Sequence, residues 1–433
     1  MMFDTTMLPL IKYDEIKDAD SFDKVYTWFS KGGDCIMPNS IESAKLPKYT
    51  NDAFVNRDKE MALVEEKAKA LIQRQPLDER TIIFMGQRGT GKSWLIRHLQ
   101  TRLAALPAII SLIIDLEDYR GSTPEEAVKK ILYHLNDRIF KQSTLSTEEL
   151  PELSREFMRH LRVILMEQPI AFLVDTVFES DWQLLATLER YLLGPLAAES
   201  RVMIVMAGRG QAYPWKTPEL RLRAMFHNLE PFTPEQTKAQ LARQKPKSVK
   251  LFFEIYERSG GNPLASFMLA DRPESPDSGL DQAINELLKV IPDSVNRQQL
   301  RQNLEAISVL NAFDEEQIPT MLAAYYGEAR YKDWKPTQAR QVRENIVRCS
   351  FAQWDEKQKG YVLDSTLLRL LKRYLQTEER QELWQRLHCA AHQLYLEWAA
   401  QYRRTSERWR TEADFHQNEL AKKGFSLEDC SYI

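Results

Sequence analysis

Residues 81–96 read TIIFMGQRGTGKSWLI, and most of what the chain reveals about its architecture starts there. Thr81, Ile82, Ile83, Phe84 and Met85 form a β-branched, apolar run that predicts a buried strand. Gly86-Gln87-Arg88-Gly89-Thr90-Gly91-Lys92-Ser93 follows at once and satisfies G-x-x-x-x-G-K-[ST]. Trp94, Leu95, Ile96 and Leu99 then recur as the buried side of a helix. Strand, glycine-rich loop and helix in this order suit a nucleoside triphosphate. Glycines let consecutive backbone N–H groups turn inward toward phosphate oxygens. The helix N-terminus adds partial positive charge. Lys92 is placed to reach the β- and γ-phosphates, and the Ser93 hydroxyl to hold Mg²⁺.

The pattern continues outward. Ala53–Gln75 predicts a helix capped by Asp58 and ended by Pro76. Ala108–Leu116 (AIISLIIDL), Ile170–Asp175 (IAFLVD) and Arg201–Ala207 (RVMIVMA) are apolar enough for strands buried on both faces. Helices are expected between them: from Thr123-Pro124-Glu125-Glu126 to about Phe140, over Leu150–Glu167, and over Trp182–Leu193, closed by Gly194-Pro195. Strands alternating with helices predict an α/β fold with a parallel sheet. The phosphate loop, Asp175 and Arg209 would then share the carboxyl edge of that sheet, where such folds bind ligands.

Beyond Pro231 the pattern turns helical. Helices are predicted from Thr233-Pro234-Glu235, over Leu251–Arg258, and, after the break Ser259-Gly260-Gly261-Asn262-Pro263, near Leu280–Val290, Arg297–Leu310, Glu315–Tyr325 and Thr337–Arg348. Asp271–Gly279 (DRPESPDSG) reads as a loop. Phe351–Leu363 predicts a hairpin turning at Glu356–Gly360, before a helix over Thr366–Leu375; helices, hairpin and helix in that order indicate a winged helix. The expected organisation is an N-terminal arm or docking segment (1–52), a P-loop domain (53–231), a small all-α domain (232–292), a winged helix (293–377) and a C-terminal helical segment (378–433).

Bulk properties narrow the field. The 433 residues are too many for one core, and a formal charge of −3 gives no whole-chain case for nucleic acid or an anionic membrane. No apolar run is long enough to span a bilayer. Four scattered cysteines (Cys35, Cys349, Cys389, Cys430) lack a C-x-x-C pair; reduced thiols in a cytoplasmic protein, with no disulfide or metal frame, are expected. His388 and His392 stand four apart beside Cys389 without a third ligand nearby, so helix packing is expected of them rather than metal. Residues Arg330–Leu375 hold eleven Lys/Arg against five acids, a balance of +6, which keeps contact with nucleic acid open.

Taken together, FVNRDKE (54–60), GQRGTGKS (86–93), FLVDT (172–176), IVMAGR (204–209), LEPFTPEQ (229–236), SGGNPLA (259–265) and the winged-helix pattern resemble a STAND NTPase of bacterial type, over roughly residues 53–395. These are signal-transduction P-loop ATPases. The resemblance implies that Val55, Asn56 and Arg57 meet adenine, Asn56 standing where glycine is usual. It implies that Gly86 through Trp94 cradle the phosphates, with Lys92, Asp175 and Arg209 as the catalytic set. Ser93 and Asp175 would hold Mg²⁺, Arg209 would sense the γ-phosphate, and Pro263 would pack on the nucleotide.

Two positions depart from the family. Thr176 stands where many members place a second acid that polarises water; a hydroxyl cannot serve as that base, and Glu179 and Asp181 are the candidate substitutes, although both lie beyond the strand end. Leu363 stands where relatives have a histidine on the ADP β-phosphate. The resemblance therefore implies an ATP/ADP-dependent switch with slow ATPase activity. It has no long repeat array or recognisable effector domain, so separate effector or sensor partners, in bacterial defence or signalling, and ATP-dependent oligomerisation are expected. Residues 1–52 and 378–433 are the candidate docking ends. Two other readings stay open: a continuously hydrolysing motor or loader on nucleic acid, and a non-hydrolysing nucleotide-bound scaffold.

Overall fold

The computed structural model of the chain describes residues 48–140, 145, 147–271, 276–289, 295–331, 333–428 and 430. The expected N-terminal arm lies almost wholly outside these residues. At the centre is a parallel sheet of β1 (Thr81–Met85), β2 (Ile110–Asp115), β3 (Ile170–Asp175), β4 (Val202–Gly208) and β5 (Ala224–Asn228), in the spatial order β2-β3-β4-β1-β5. β4 is inserted between the phosphate-loop strand β1 and the Asp175 strand β3. The end of β4 therefore emerges between the two groups the sequence singles out.

Alternating side chains feed two apolar layers. Ile82, Phe84, Leu173 and Val205 pack beneath α1 (Asp58–Ile72) and α2 (Lys92–Ala104). Ile83, Phe172, Val174 and Ile204 pack beneath α3 (Pro124–Ile139), α4 (Leu150–Glu167) and α5 (Trp182–Leu188). Phe84 and Phe172 are fully buried, each contributing roughly 2–3 kcal/mol from water exclusion. The α3 start forms as its residues predict: Thr123 and Glu126 make a reciprocal capping box around Pro124.

Three local expectations need correction. Asp58 does not cap α1; it is the first helical residue, and the cap position is Arg57, left-handed at φ 68° with no side-chain cap bond. Gly194-Pro195 does not close the helix after β3. α5 passes through a π-turn (Glu189–Leu193) into α6 (Gly194–Ala198). The wider turn accommodates a proline that lacks an N–H donor. The edge strand β5 is not foreshadowed in the sequence, because AMFHN carries a histidine and an asparagine and no sustained apolar run; it is led by α7 (Pro218–Leu222).

Among the described residues the rest is helical apart from one hairpin: α8 (Pro234–Gln244), α9 (Phe252–Ser259), α10 (Pro263–Leu269), α11 (Leu280–Leu287), α12 (Arg297–Ile307), α13 (Ile318–Tyr326) and α14 (Pro336–Arg348). The loop expected over Asp271–Gly279 falls partly outside the described residues. β6 (Ala352–Asp355) and β7 (Gly360–Leu363) form the antiparallel hairpin, and α15 (Ser365–Leu375) follows. Phe313 bridges Tyr361, adding a third short edge, so the group is a winged helix.

Finally α16 (Gln381–Gln401) and α17 (Ser406–Lys422) pack antiparallel, with Tyr395 stacked on Trp409 and the Nδ1 atoms of His388 and His416 2.9 Å apart. His392 Nδ1 meets the Ala413 carbonyl at 2.9 Å, so both α16 histidines serve packing. The expectation of four reduced thiols does not hold. Cys389 and Cys430 form a disulfide across this hairpin, with Cα atoms 5.4 Å apart, while Cys349 is free and buried. Among the described residues no helix is long and apolar enough to cross a membrane.

Candidate functional site

At the carboxyl ends of β1, β3 and β4 lies a cavity of about 370 Å³. Its floor is the phosphate loop. Gly89 (φ +82°) and Gly91 (φ +90°) take left-handed backbone, and a Cβ at Gly89 would strike the Asn262 side chain at 2.5 Å. Lys92 Nζ donates to the carbonyls of Gly86 (2.8 Å) and Gln87 (2.9 Å). Burial pulls this ammonium down to about 8.

Of the residues singled out in the sequence, Val55, Arg57, Arg88 through Trp94, Asp175, Arg209 and Pro263 line the cavity. Three do not. Asn56 is left-handed (φ 61°), as its type allows, but its amide turns away to the Gln236 carbonyl (3.3 Å). Gly86 sits against Thr90 and Leu229. Gln87 points to the start of α15, meeting Ser365 Oγ at 3.5 Å and Thr366 Oγ1 at 3.4 Å.

The walls come from separate parts of the chain. Phe54 and Val55 form one, held by α8: Arg243 donates to the Phe54 carbonyl (2.7 Å) and Gln244 to the Ala53 carbonyl (2.9 Å). Arg57 is buried over the Phe232 ring and donates to the Thr90 carbonyl (2.9 Å), tying this segment to the phosphate loop. The break before α10 grips the loop from the other side. Asn262 donates to the Arg88 carbonyl (2.7 Å), the Leu264 N–H donates to the Gly89 carbonyl (3.1 Å), and Pro263 faces the cavity.

Acidic and basic groups meet at the sheet edge. Burial pushes the Asp175 carboxyl up to about 6, with the nearby Ser93 hydroxyl pulling the other way, and Oδ1 accepts the Thr176 N–H (2.9 Å). Arg209 pairs with Glu179: Nε stands 3.3 Å from Oε1, and the Arg209 N–H donates to Oε2 (3.1 Å). Asp364, at the start of α15, caps that helix through the Leu367 N–H (2.9 Å), and burial raises its carboxyl.

Sequence reasoning missed Glu117 and Arg120, which line the mouth and pair at 2.7 Å. They follow β2 on an irregular turn that no motif marks. Gln240 and Gln244 of α8 also line it, and only their helical phase carried a hint.

The donor set fits a phosphate chain with a divalent cation. Buried Arg88 Nη1 has no hydrogen-bond partner and Arg88 lines the cavity, as do Ser93 and Asp175. Bound there, such a cation supplies electrostatic stabilisation of phosphate oxygens. Ser93 Oγ and the Asp175 carboxylate would hold it, and Lys92 and Arg88 would face the anion.

The Asp175 carboxyl is raised from 3.8 to about 6, so its burial favours the fold fully below pH 4 and loses that benefit as pH rises through 6, by about 3 kcal/mol. Without ligand, thermal melts should fall between pH 5 and 7. In Asp175→Asn the fall should flatten, with a melting temperature at pH 7.5 at or above wild type. Parallel pH profiles for the two proteins would overturn this.

No family model matches the sequence, and no curated protein is similar to it by sequence. Solved structures are similar at low identity. The ORC1 protein of Aeropyrum pernix, solved in complex with DNA, is 15% identical over 76% of this chain and 94% of its own, at a TM-score of 0.43. ORC2 of the same organism, solved as ADPNP-ADP complexes, is 14% identical over 77% and 96%, at 0.45. The RuvB Holliday junction branch migration motor of Thermotoga maritima is 14% identical over 75% and 97%, at 0.37. The fold here is read from the strand order and the phosphate loop themselves.

Proposed function

We propose that this protein is a P-loop ATPase of STAND type that works as an ATP/ADP-dependent switch, binding Mg²⁺-nucleotide and engaging separate effector or sensor proteins. One observation carries the reading. The phosphate loop is itself the joint between parts of the chain, with Leu264 and Asn262 bonded to its backbone and its Gln87 side chain touching Ser365 and Thr366 of the winged helix. A ligand shifts a conformational equilibrium only if it contacts the two states differently. A loop that holds phosphates on one side and a second body on the other meets that condition.

The Gln87 contacts with α15 stand beside Leu363, where relatives have the histidine. They offer a different hold on the closed state. Lys92, Asp175 and Arg209 are proposed as the catalytic set, Ser93 and Asp175 as the Mg²⁺ ligands. Val55, Arg57, the loop from Arg88 to Trp94 and Pro263 are proposed as the nucleotide contacts. Asn56 contributes through its left-handed backbone rather than its side chain.

The nucleic-acid motor reading draws less support. Several cations of the basic stretch are already paired: Arg340 with Glu315, Arg343 with Asp314 and Glu315, and Arg373 with Asp277. Nucleotide analysis of the full-length protein, with its mass measured in Mg²⁺-ADP and Mg²⁺-ATP, tests the switch. Bound ADP after purification and a larger assembly or altered shape in ATP are expected. Rapid turnover stimulated by DNA would replace the switch with the motor.

A further inference from the structure

Three carboxylates line the cavity: Asp175, Glu117 and Glu179. Asp175, the last residue of β3, accepts the Thr176 N–H through Oδ1 (2.9 Å) and is already proposed as a Mg²⁺ ligand. Glu117 stands at the mouth in an ion pair with Arg120, both side chains more than 40% exposed. Glu179 is 12% exposed and reaches the interior, although it lies four residues past the end of β3.

The backbone explains how it gets there. Thr176 takes a left-handed conformation (φ 59°), which is strained for a β-branched residue. Three bonds hold it: its N–H donates to Asp175 Oδ1 (2.9 Å), its hydroxyl to Asp115 Oδ1 (2.9 Å), and its carbonyl accepts from Ser180 Oγ (2.9 Å). The chain therefore turns back across β4 instead of running outward, and the Val177 N–H docks on the Ala207 carbonyl (3.0 Å). Residues 178 and 179 then lie directly over Gly208. A Cβ there would meet Phe178 N at 2.7 Å and Glu179 Oε2 at 3.2 Å, so only glycine lets them pass. Asp181 is excluded from the site, because its carboxylate caps α5 through the Gln183 and Leu184 N–H groups.

We infer that Glu179, delivered by the left-handed turn at Thr176 and seated over Gly208, is the carboxylate that orients the attacking water in place of an acid at position 176. The inference rests on the proposed nucleotide site. Arg209 and Glu179 then form a pair that the terminal phosphate divides: the guanidinium is drawn to the phosphate and a Glu179 oxygen accepts a hydrogen bond from water. The water oxygen bonds to the terminal phosphorus. The bond from that phosphorus to the bridging oxygen breaks, its electron pair leaving on the diphosphate, and the water proton passes through Glu179 to the released phosphate.

The test uses full-length wild type, Glu179→Gln and Glu117→Gln. Equilibrium titration with fluorescent ATP and ADP analogues in Mg²⁺ is paired with single-turnover cleavage of ATP. Glu179→Gln should slow cleavage by about 100-fold. Removing a negative charge that faces the phosphate chain should also raise the ratio of triphosphate to diphosphate affinity about fivefold. A purely structural role would leave that ratio unchanged. Glu117→Gln, which removes the exposed carboxylate at the mouth, should slow cleavage less than Glu179→Gln does. Unaltered cleavage in Glu179→Gln, equal loss of both affinities, or a larger effect from Glu117→Gln would overturn the assignment. So would a wild type that binds Mg²⁺-ATP without cleaving it. A wild type that binds neither nucleotide instead overturns the nucleotide site itself, so the two failures are distinct.

Discussion

Lys92→Met should abolish nucleotide binding without unfolding the protein. The ammonium is 8% exposed, and burial has already pulled it down to about 8. Its folded value lies below the usual 10.5, so its contribution to stability is complete above pH 10.5 and falls away as pH drops through 8. At pH 7 the buried charge therefore costs about 3 kcal/mol, offset in part by the bonds to the Gly86 and Gln87 carbonyls. Methionine keeps the stem and fills the same space without the charge. Urea unfolding at pH 7 should show stability equal to or above wild type. Titration with Mg²⁺-ATP should show affinity lower by at least ~100-fold, the scale expected when charge-assisted bonds to phosphate are lost. Binding within threefold of wild type would mean that this loop does not hold phosphate. A collapse of stability would mean that the ammonium is chiefly a structural strut for the loop carbonyls.

The contrast between Lys92 and Glu179 shows what is legible in the sequence. The phosphate loop declares itself because its chemistry is local: strand, glycines, lysine and hydroxyl lie within thirteen consecutive positions, Thr81–Ser93. The meeting of that loop with Asp175 and Arg209 is also readable, since a parallel sheet brings strand ends to one edge whatever the strand order. Glu179 reads in the sequence only as one of two candidate substitutes for the missing acid, with Asp181 equally placed past the strand end. Its place depends on a left-handed threonine, which side-chain type argues against rather than for. Glu117 and Arg120 carry no pattern at all. The disulfide is hidden for a related reason. Cys389 and Cys430 are 41 residues apart and meet only because α16 and α17 double back, a pairing fixed by aromatic and histidine packing across the hairpin rather than by any cysteine motif. The proline at 195 misleads in the opposite direction, because a π-turn absorbs what normally ends a helix.

Gly261→Ala should be the most damaging single-methyl addition near the cavity, and its effect should reach the ligand as well as the fold. Gly261 has φ +76°, which alone costs an alanine on the order of 1 kcal/mol. The larger penalty is steric. A Cβ would lie 2.0 Å from the Phe232 carbonyl oxygen and 3.0 Å from its carbon. Those are backbone atoms held in register by the bond from the Phe232 N–H to the Gly261 carbonyl (2.8 Å), so no rotamer change relieves the clash. The turn must move, and it carries Asn262 and Pro263 with it. Asn262 is wholly buried and bonded to the Arg88 carbonyl, so displacement pulls on the phosphate loop directly. Denaturant unfolding should show a loss of about 3 kcal/mol or more. Mg²⁺-nucleotide affinity should fall in the same variant by more than its unfolded fraction explains. Gly121→Ala supplies the control. That glycine has φ +80°, and a methyl group added there would have nothing within 4 Å, so it shares the backbone penalty and lacks the clash. Equal losses in the two variants would show that the contact at Phe232 is slack. The turn before α10 would then not be the rigid link through which the helical part of the chain reads the phosphate loop.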